Sequence, residues 1–239
     1  MARIKPESSF HPLLAQIQGG LIVSCQAAAD NPLHGPETMA LMARAAELGG
    51  AVGTRVESPA DISAVMEATS IPCLGIFKVD YEGVDVRITP TLKDTQAIID
   101  TGAPMIALDA TNRPRPYGEK LIDSVAAIHE AGALAFGDCA TREDLEGAIA
   151  AGCDAIGTTL SGYTAESATD SREPDLDLLA WYVTHSSVPV YAEGRYWTPQ
   201  HVAAAFELGA HCVVVGRAIT TPMKTTEHFI NESRRLLGS

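Results

Sequence analysis

One short pattern recurs along this chain and restricts its fold more than any other feature. An apolar-patterned segment ends on a glycine and a β-rich run follows at once: AELGGAV (46–52), IDTGAPM (99–105), HEAGALA (129–135), IAAGCDA (149–155) and FELGAHC (206–212). A glycine just past the last turn supplies the left-handed residue that closes a helix. The repeated unit is therefore helix, glycine turn, strand.

Eight β-rich runs can be read in all: LIVSC (21–25), AVGTR (51–55), PCLGIFK (72–78), MIALD (105–109), ALAFGD (133–138), DAIGT (154–158), VPVYA (188–192) and CVVVG (212–216). The stretches between them, such as PETMALMARAAELGG and TPQHVAAAFELGA, carry apolar residues at helical spacing. Strand alternating with helix implies an α/β fold of parallel strands with right-handed crossovers. Eight such units close into a (β/α)8 barrel. An open doubly wound sheet would want a Gly-x-Gly turn after its first strand, and QAAADNPLHGPE stands there instead. The expectation is a single barrel domain over residues 1–239, with 1–18 as an N-terminal helical extension.

Composition narrows the partners. Apolar residues make up 46% and aromatics 5%, which suits an aliphatic core around buried parallel strands. A formal charge of −13 argues against nucleic acid and anionic membranes, whereas a few local cations can still hold a small anion, because screening acts over about 8 Å. The cysteines, five in number and without a CxxC pair, suggest buried thiols in a reduced, cytoplasmic protein. No signal or membrane-length apolar segment can be read. The histidines lack metal-ligand spacing, so neither a metal nor an organic cofactor is expected.

Barrel active sites lie at the carboxyl ends of the strands. The residues that close the eight runs are Gln26, Arg55, Lys78, Asp109, Asp138, Thr158, Glu193 with Arg195, and Arg217. Four cations at one rim of so acidic a chain make a local anion site. The loops after the seventh and eighth strands, AEGR and VGRAIT, occupy the usual phosphate position of this fold. Gly194 and Gly216 would open backbone N–H groups there, and Arg195 and Arg217 would add charge, or Arg195 would brace the loop.

Lys78 and Glu193 are four strands apart in a ring of eight, so they approach a central ligand from opposite sides. An acid and a base facing each other across one carbon is what inversion of a stereocentre requires. Lysine must fall from about 10.4 to act as a base, and a neighbouring cation such as Arg55 pushes it that way. Asp138 has three readings: a sugar contact, a partner for Lys78, or a structural partner for an arginine. The polar run from 159 to 177 reads as a lid or a solvated excursion. In DATNRPRP, Arg113 and Arg115 extend the site or merely stiffen a rim turn.

The motifs GGLIVSCQ, LGIFKVDY, VRITPT, ALDATNRPRP, DCAT, IGTTLSGYT, EPDL, AEGRYWTP and VVVGRAIT, in this order from about Gly19 to Ile230, resemble the N-acetylmannosamine-6-phosphate 2-epimerases of amino-sugar and sialic acid catabolism. The resemblance implies a barrel of the ribulose-phosphate-binding type that interconverts the 6-phosphates of N-acetyl-D-mannosamine and N-acetyl-D-glucosamine without a cofactor, and a possible homodimer. It implies Lys78 and Glu193 as the acid/base pair, Gln26, Arg55 and Asp138 as sugar contacts, and the backbone at Gly194 and Gly216 as the phosphate cradle. The chain departs from that pattern at Arg217 and Thr221, where a small residue and an arginine are usual, and at Val79 and Gly137. A Schiff-base lyase using Lys78 and a noncatalytic phosphosugar sensor are the rival readings.

Overall fold

The computed structural model describes residues 11–237. Its elements run α1 (Pro12–Ile17), β1 (Leu21–Cys25), α2 (Pro36–Leu48), β2 (Gly53–Glu57), α3 (Pro59–Ala68), β3 (Cys73–Ile76), α4 (Leu92–Ile99), β4 (Met105–Asp109) and α5 (Leu121–Glu130). They continue with β5 (Leu134–Asp138), α6 (Asp144–Ala150), β6 (Ala155–Gly157), α7 (Leu176–His185), β7 (Val190–Glu193), α8 (Pro199–Glu207), β8 (Cys212–Val215), α9 (Arg217–Thr220) and α10 (Pro222–Leu237). The strands close in chain order into a parallel barrel, β1 pairing with both β2 and β8. The expected fold class is therefore correct. Of the expected N-terminal extension, α1 is a helix and residues 1–10 lie outside the described residues.

The repeated glycine turn works as its chemistry suggests. Gly50, Gly102, Gly132, Gly152 and Gly209 all have φ between 78° and 96°. In four copies the residue after the glycine donates its N–H back into the last helical turn, Ala51 to Ala46, Ala133 to Ile128, Cys153 to Ala148 and Ala210 to Ala205. These bonds satisfy helix-end carbonyls and aim the chain back toward the sheet. In the fifth copy the Thr101 hydroxyl takes the N–H of Ala103 instead, at 3.3 Å.

Side-chain alternation along the strands splits the interior in two. Outward residues such as Val23, Val56, Ile106, Leu108, Ala135, Ile156 and Val213 pack under the helices. Inward residues including Ile22, Leu74, Ile76, Met105, Phe136, Tyr191 and Val214 fill the barrel, where Leu14 and Ile17 of α1 join them. His211 ties α1 in place through the Leu14 carbonyl, at 2.7 Å. With one end stopped by apolar side chains, polar groups on inward positions gather at the other.

All five cysteines are free and buried. No helix among the described residues is long and apolar enough to cross a membrane.

Candidate active site

Several inward lines of side chains become polar as they climb toward the carboxyl ends of the strands. Leu74 and Ile76 lead to Lys78, Leu134 and Phe136 to Asp138, Ile22 to Ser24 and Gln26, Tyr191 to Glu193. Each step is two residues, the strand period, so the register that buries the core also delivers these groups to one mouth.

Arg55 and Asp138 form the floor. Nη1 and Nη2 of Arg55 donate to the two carboxylate oxygens of Asp138 at 3.0 and 2.6 Å, with the residues 1% and 0% exposed. Asp138 Oδ1 also accepts from Thr159 Oγ1 and from the Tyr191 hydroxyl, each at 2.6 Å. Burial alone would lower the guanidinium's pKa, but Asp138 and Glu193 reverse that and hold it above its ordinary value. Of the three readings of Asp138, the structural arginine partner is the one seen. Arg55 itself was expected to close β2. Instead β2 pairs with β3 as far as Glu57, leaving Arg55 in mid-strand and aimed inward, and its Nε has no hydrogen-bond acceptor.

Glu193 is the last residue of β7, a step further along the strand than the apolar run suggested. Its Oε2 lies 3.0 Å from Arg55 Nη1 and 3.4 Å from Thr159 Oγ1. The Thr158 hydroxyl grips its backbone, donating to the Glu193 carbonyl at 2.9 Å and accepting its N–H at 3.2 Å. Burial pushes the Glu193 carboxyl up to about 7, with Arg55 opposing, Asp138 adding to the rise, and Lys78 and Thr159 opposing.

Lys78 stands on the facing wall, since β3 and β7 are four places apart whichever way round the ring one counts. Its ammonium donates to Gln26 Oε1 at 2.5 Å, and Gln26 Nε2 donates to Ser24 Oγ at 2.8 Å. A short excursion fixes the lysine's backbone: Lys78 bridges Ile88 in antiparallel fashion and its N–H reaches Glu57 at 3.3 Å. The side chain is open to solvent above, yet the protein crowding its flanks and then the Arg55 charge lower its pKa, against Glu57 and Glu193.

The four rim arginines outside the floor divide by partner. Arg195 (φ 63°) donates Nε to the Glu173 carbonyl and Nη1 to the Ser161 carbonyl, both at 2.6 Å, so it braces the two ends of the long loop after β6. Of its two expected roles, bracing is the one in place. Gly162 leaves the room for it, because a Cβ there would sit 2.0 Å from Arg195 Nη1. Arg115 is buried and committed to the carbonyls of Pro90, Asp109 and Thr89, which makes it a rim stiffener. Arg113 pairs with Asp109 at 2.6 Å. Arg217 is exposed on α9. Gly194 (φ 108°) and Gly216 lie in adjacent loops, with Glu193 of β7 paired to Val214 of β8.

A cavity of 430 Å³ opens beside this mouth, between the loops after β4, β5 and β6. Glu143, Asp144 and Glu166 outnumber its one cation, Arg113, so it does not suit an anion. Among the described residues, no group of three or more His, Cys, Asp or Glu side chains is placed to hold a metal.

Sequence reasoning missed Thr159 and Tyr191. The strand period held the signal for Tyr191, which is two residues before Glu193 and so shares its face. Gly157 supported it, since a Cβ at that position would sit 2.1 Å from the Tyr191 ring. The same period reaches Thr159, which stands two residues past Gly157 at the end of β6 as Lys78 stands two past Ile76 at the end of β3, so Ala155 and Gly157 held its signal too.

A closed parallel barrel with a lysine and a raised carboxyl on facing walls of its mouth is the framework of a barrel enzyme that moves protons. Comparison with known proteins agrees. Residues 39–235 match the family described as "Putative N-acetylmannosamine-6-phosphate epimerase". The chain is 44% identical over 218 residues to a protein of Clostridioides difficile named "Putative N-acetylmannosamine-6-phosphate 2-epimerase", covering 91% of this chain and 97% of that one. A protein of the same name from Listeria monocytogenes is 42% identical over 227 residues, 94% of this chain and 96% of its own. Among solved structures, the N-acetylmannosamine-6-phosphate 2-epimerase of Clostridium perfringens superposes with a TM-score of 0.90 at 43% identity, over 92% of this chain and 96% of that chain. A thiamine phosphate pyrophosphorylase of Pyrococcus furiosus, with a TM-score of 0.59 at 14% identity, shares the fold alone. The chain belongs to the N-acetylmannosamine-6-phosphate epimerase family.

Proposed function

We propose that this protein interconverts N-acetyl-D-mannosamine 6-phosphate and N-acetyl-D-glucosamine 6-phosphate by moving the proton at C2, with Lys78 and Glu193 serving the two faces of that carbon. The reading rests on family membership for the substrate. For the mechanism, one observation carries it: the two groups stand on opposite walls, one lowered and the other raised, so both are drawn toward neutral pH. A proton relay works best when its acid and base titrate near the working pH.

The C2 proton is acidic only in the open aldehyde form. Removing it places charge on the aldehyde oxygen, and a fixed cation must meet that charge. Arg55, whose Nε lacks an acceptor, and protonated Lys78 are the candidates. The pair carries one proton between its members in either working form, ammonium with carboxylate or amine with carboxylic acid. Both directions therefore share one acid limb in kcat/KM, falling as pH drops through the Glu193 pKa, at about 7.

Gln26, already bonded to Lys78, is suited to a sugar hydroxyl, and Arg55 is assigned to the sugar from the floor, with Asp138 buried behind it as its carboxylate partner. The phosphate is assigned to the backbone at Gly194 and Gly216, with Arg217 as the exposed cation nearby. Arg195 contributes by holding the loop. The protein acts in the cytoplasm, in keeping with its buried thiols and phosphorylated substrate. It works as a homodimer, a reading supported by α10, which buries no residue. That helix exposes Met223, Phe229, Ile230, Leu236 and Leu237 along one stripe, and an isolated helix of such length is marginal in water.

The test is proton NMR of N-acetylmannosamine 6-phosphate in heavy water. One deuterium should enter at C2 as the gluco epimer appears, with the carbon chain intact. Carbon–carbon cleavage, or a borohydride-trapped adduct on Lys78, would transfer the chain to the lyase reading.

A further inference from the structure

Glu193 and Asp138 compete for the same donors. Arg55 Nη1 is 3.0 Å from Asp138 Oδ1 and 3.0 Å from Glu193 Oε2. Thr159 Oγ1 lies 2.6 Å from Asp138 Oδ1 and 3.4 Å from Glu193 Oε2. A hydroxyl has one proton to give and two lone pairs with which to accept. Asp138 does not depend on Thr159, because Tyr191 and both Arg55 nitrogens also serve it.

We propose that Thr159 is a positioning residue for Glu193, its single hydroxyl proton passing between the two carboxyl groups so that Glu193 is held in place in both of its protonation states. With Glu193 ionised, the hydroxyl turns from well-supplied Asp138 and donates to Oε2. With Glu193 protonated, the hydroxyl returns to Asp138 and accepts the Glu193 O–H. No atom of Thr159 touches the reacting carbon; it acts by fixing where the carboxyl points and by stabilising the anion. Charge-assisted hydrogen bonds are roughly twice as strong as neutral ones, so the ionised state gains more from it. The other charged or titratable groups facing Glu193 are Arg55, Lys78, Asp138, Tyr191 and Cys212, whose thiol burial pushes far up and keeps neutral.

The inference rests on the proposed role of Glu193, and the test separates the two. The acid limb of kcat/KM is measured for the parent, T159V, T159S and Y191F. In T159V the limb should move up by about half a pH unit, the worth of one weak hydrogen bond, and kcat should fall at the optimum. T159S, which restores the hydroxyl, should return the limb to the parent's position. Y191F removes a donor that touches Asp138 alone, and should move the limb less than T159V does. A limb unmoved in T159V, unrestored in T159S, or moved equally by Y191F would overturn the role of Thr159. A parent with no acid limb near neutrality would instead overturn the role of Glu193.

Discussion

Two sides of the barrel mouth each hold an arginine and a carboxylate, and they use them differently. On the β4 side everything is local: Asp109 accepts from the N–H and hydroxyl of Thr111 at 3.1 and 2.6 Å and from Arg113 at 2.6 Å. On the other side Arg55, Asp138, Thr159 and Glu193 come from distant parts of the chain, and both donors to Glu193 are shared with Asp138. Burial raises the pKa of both Asp109 and Glu193, so a perturbed acid alone does not mark a proton-transfer group. Glu193 differs in standing on the wall opposite Lys78, with its donors divided. A rim carboxylate closed within its own loop is architecture; one left partly served, opposite an amine, can do chemistry.

Removing the arginines should expose this contrast. Arg55→Ala strands Asp138 as an uncompensated buried charge and should cost about 3–5 kcal/mol in urea unfolding. A loss under 1 kcal/mol would mean that Asp138 finds other partners or takes up a proton. Arg113→Ala leaves Asp109 with its two bonds to Thr111, so about 1 kcal/mol is expected, with turnover at the parent's rate. A collapse of kcat in that variant would bring the β4 side into the site.

The sequence made the barrel legible because the glycine turn and the strand period are local rules, written into each repeat. Lys78, Glu193 and Asp138 could be found for the same reason: the inward register ends on them. Partner choice was less legible. Whether Arg195 meets phosphate or carbonyls depends on a loop from 34 residues away, Ser161 to Arg195, and nothing in GRYW reports it. Arg115 likewise reaches back to Thr89 and Pro90. The misplacement of Arg55 has a different cause. A run of apolar letters ends where a charge begins, but a strand continues as long as its neighbours offer hydrogen bonds, here to Glu57. Thr159 continues the inward line of Ala155 and Gly157 just as Lys78 continues that of Ile76, and it was passed over because the apolar run was closed at Thr158.

The central claim is that Lys78 and Glu193 serve opposite faces of one carbon. It is tested most directly by deuterium exchange at C2 in Lys78→Ala and Glu193→Gln, starting separately from the manno and the gluco epimer. Both variants should lose interconversion, while slow exchange without inversion survives for one epimer in the first variant and for the other epimer in the second. Residual exchange of the same epimer in both would put the two groups on one face and contradict the account.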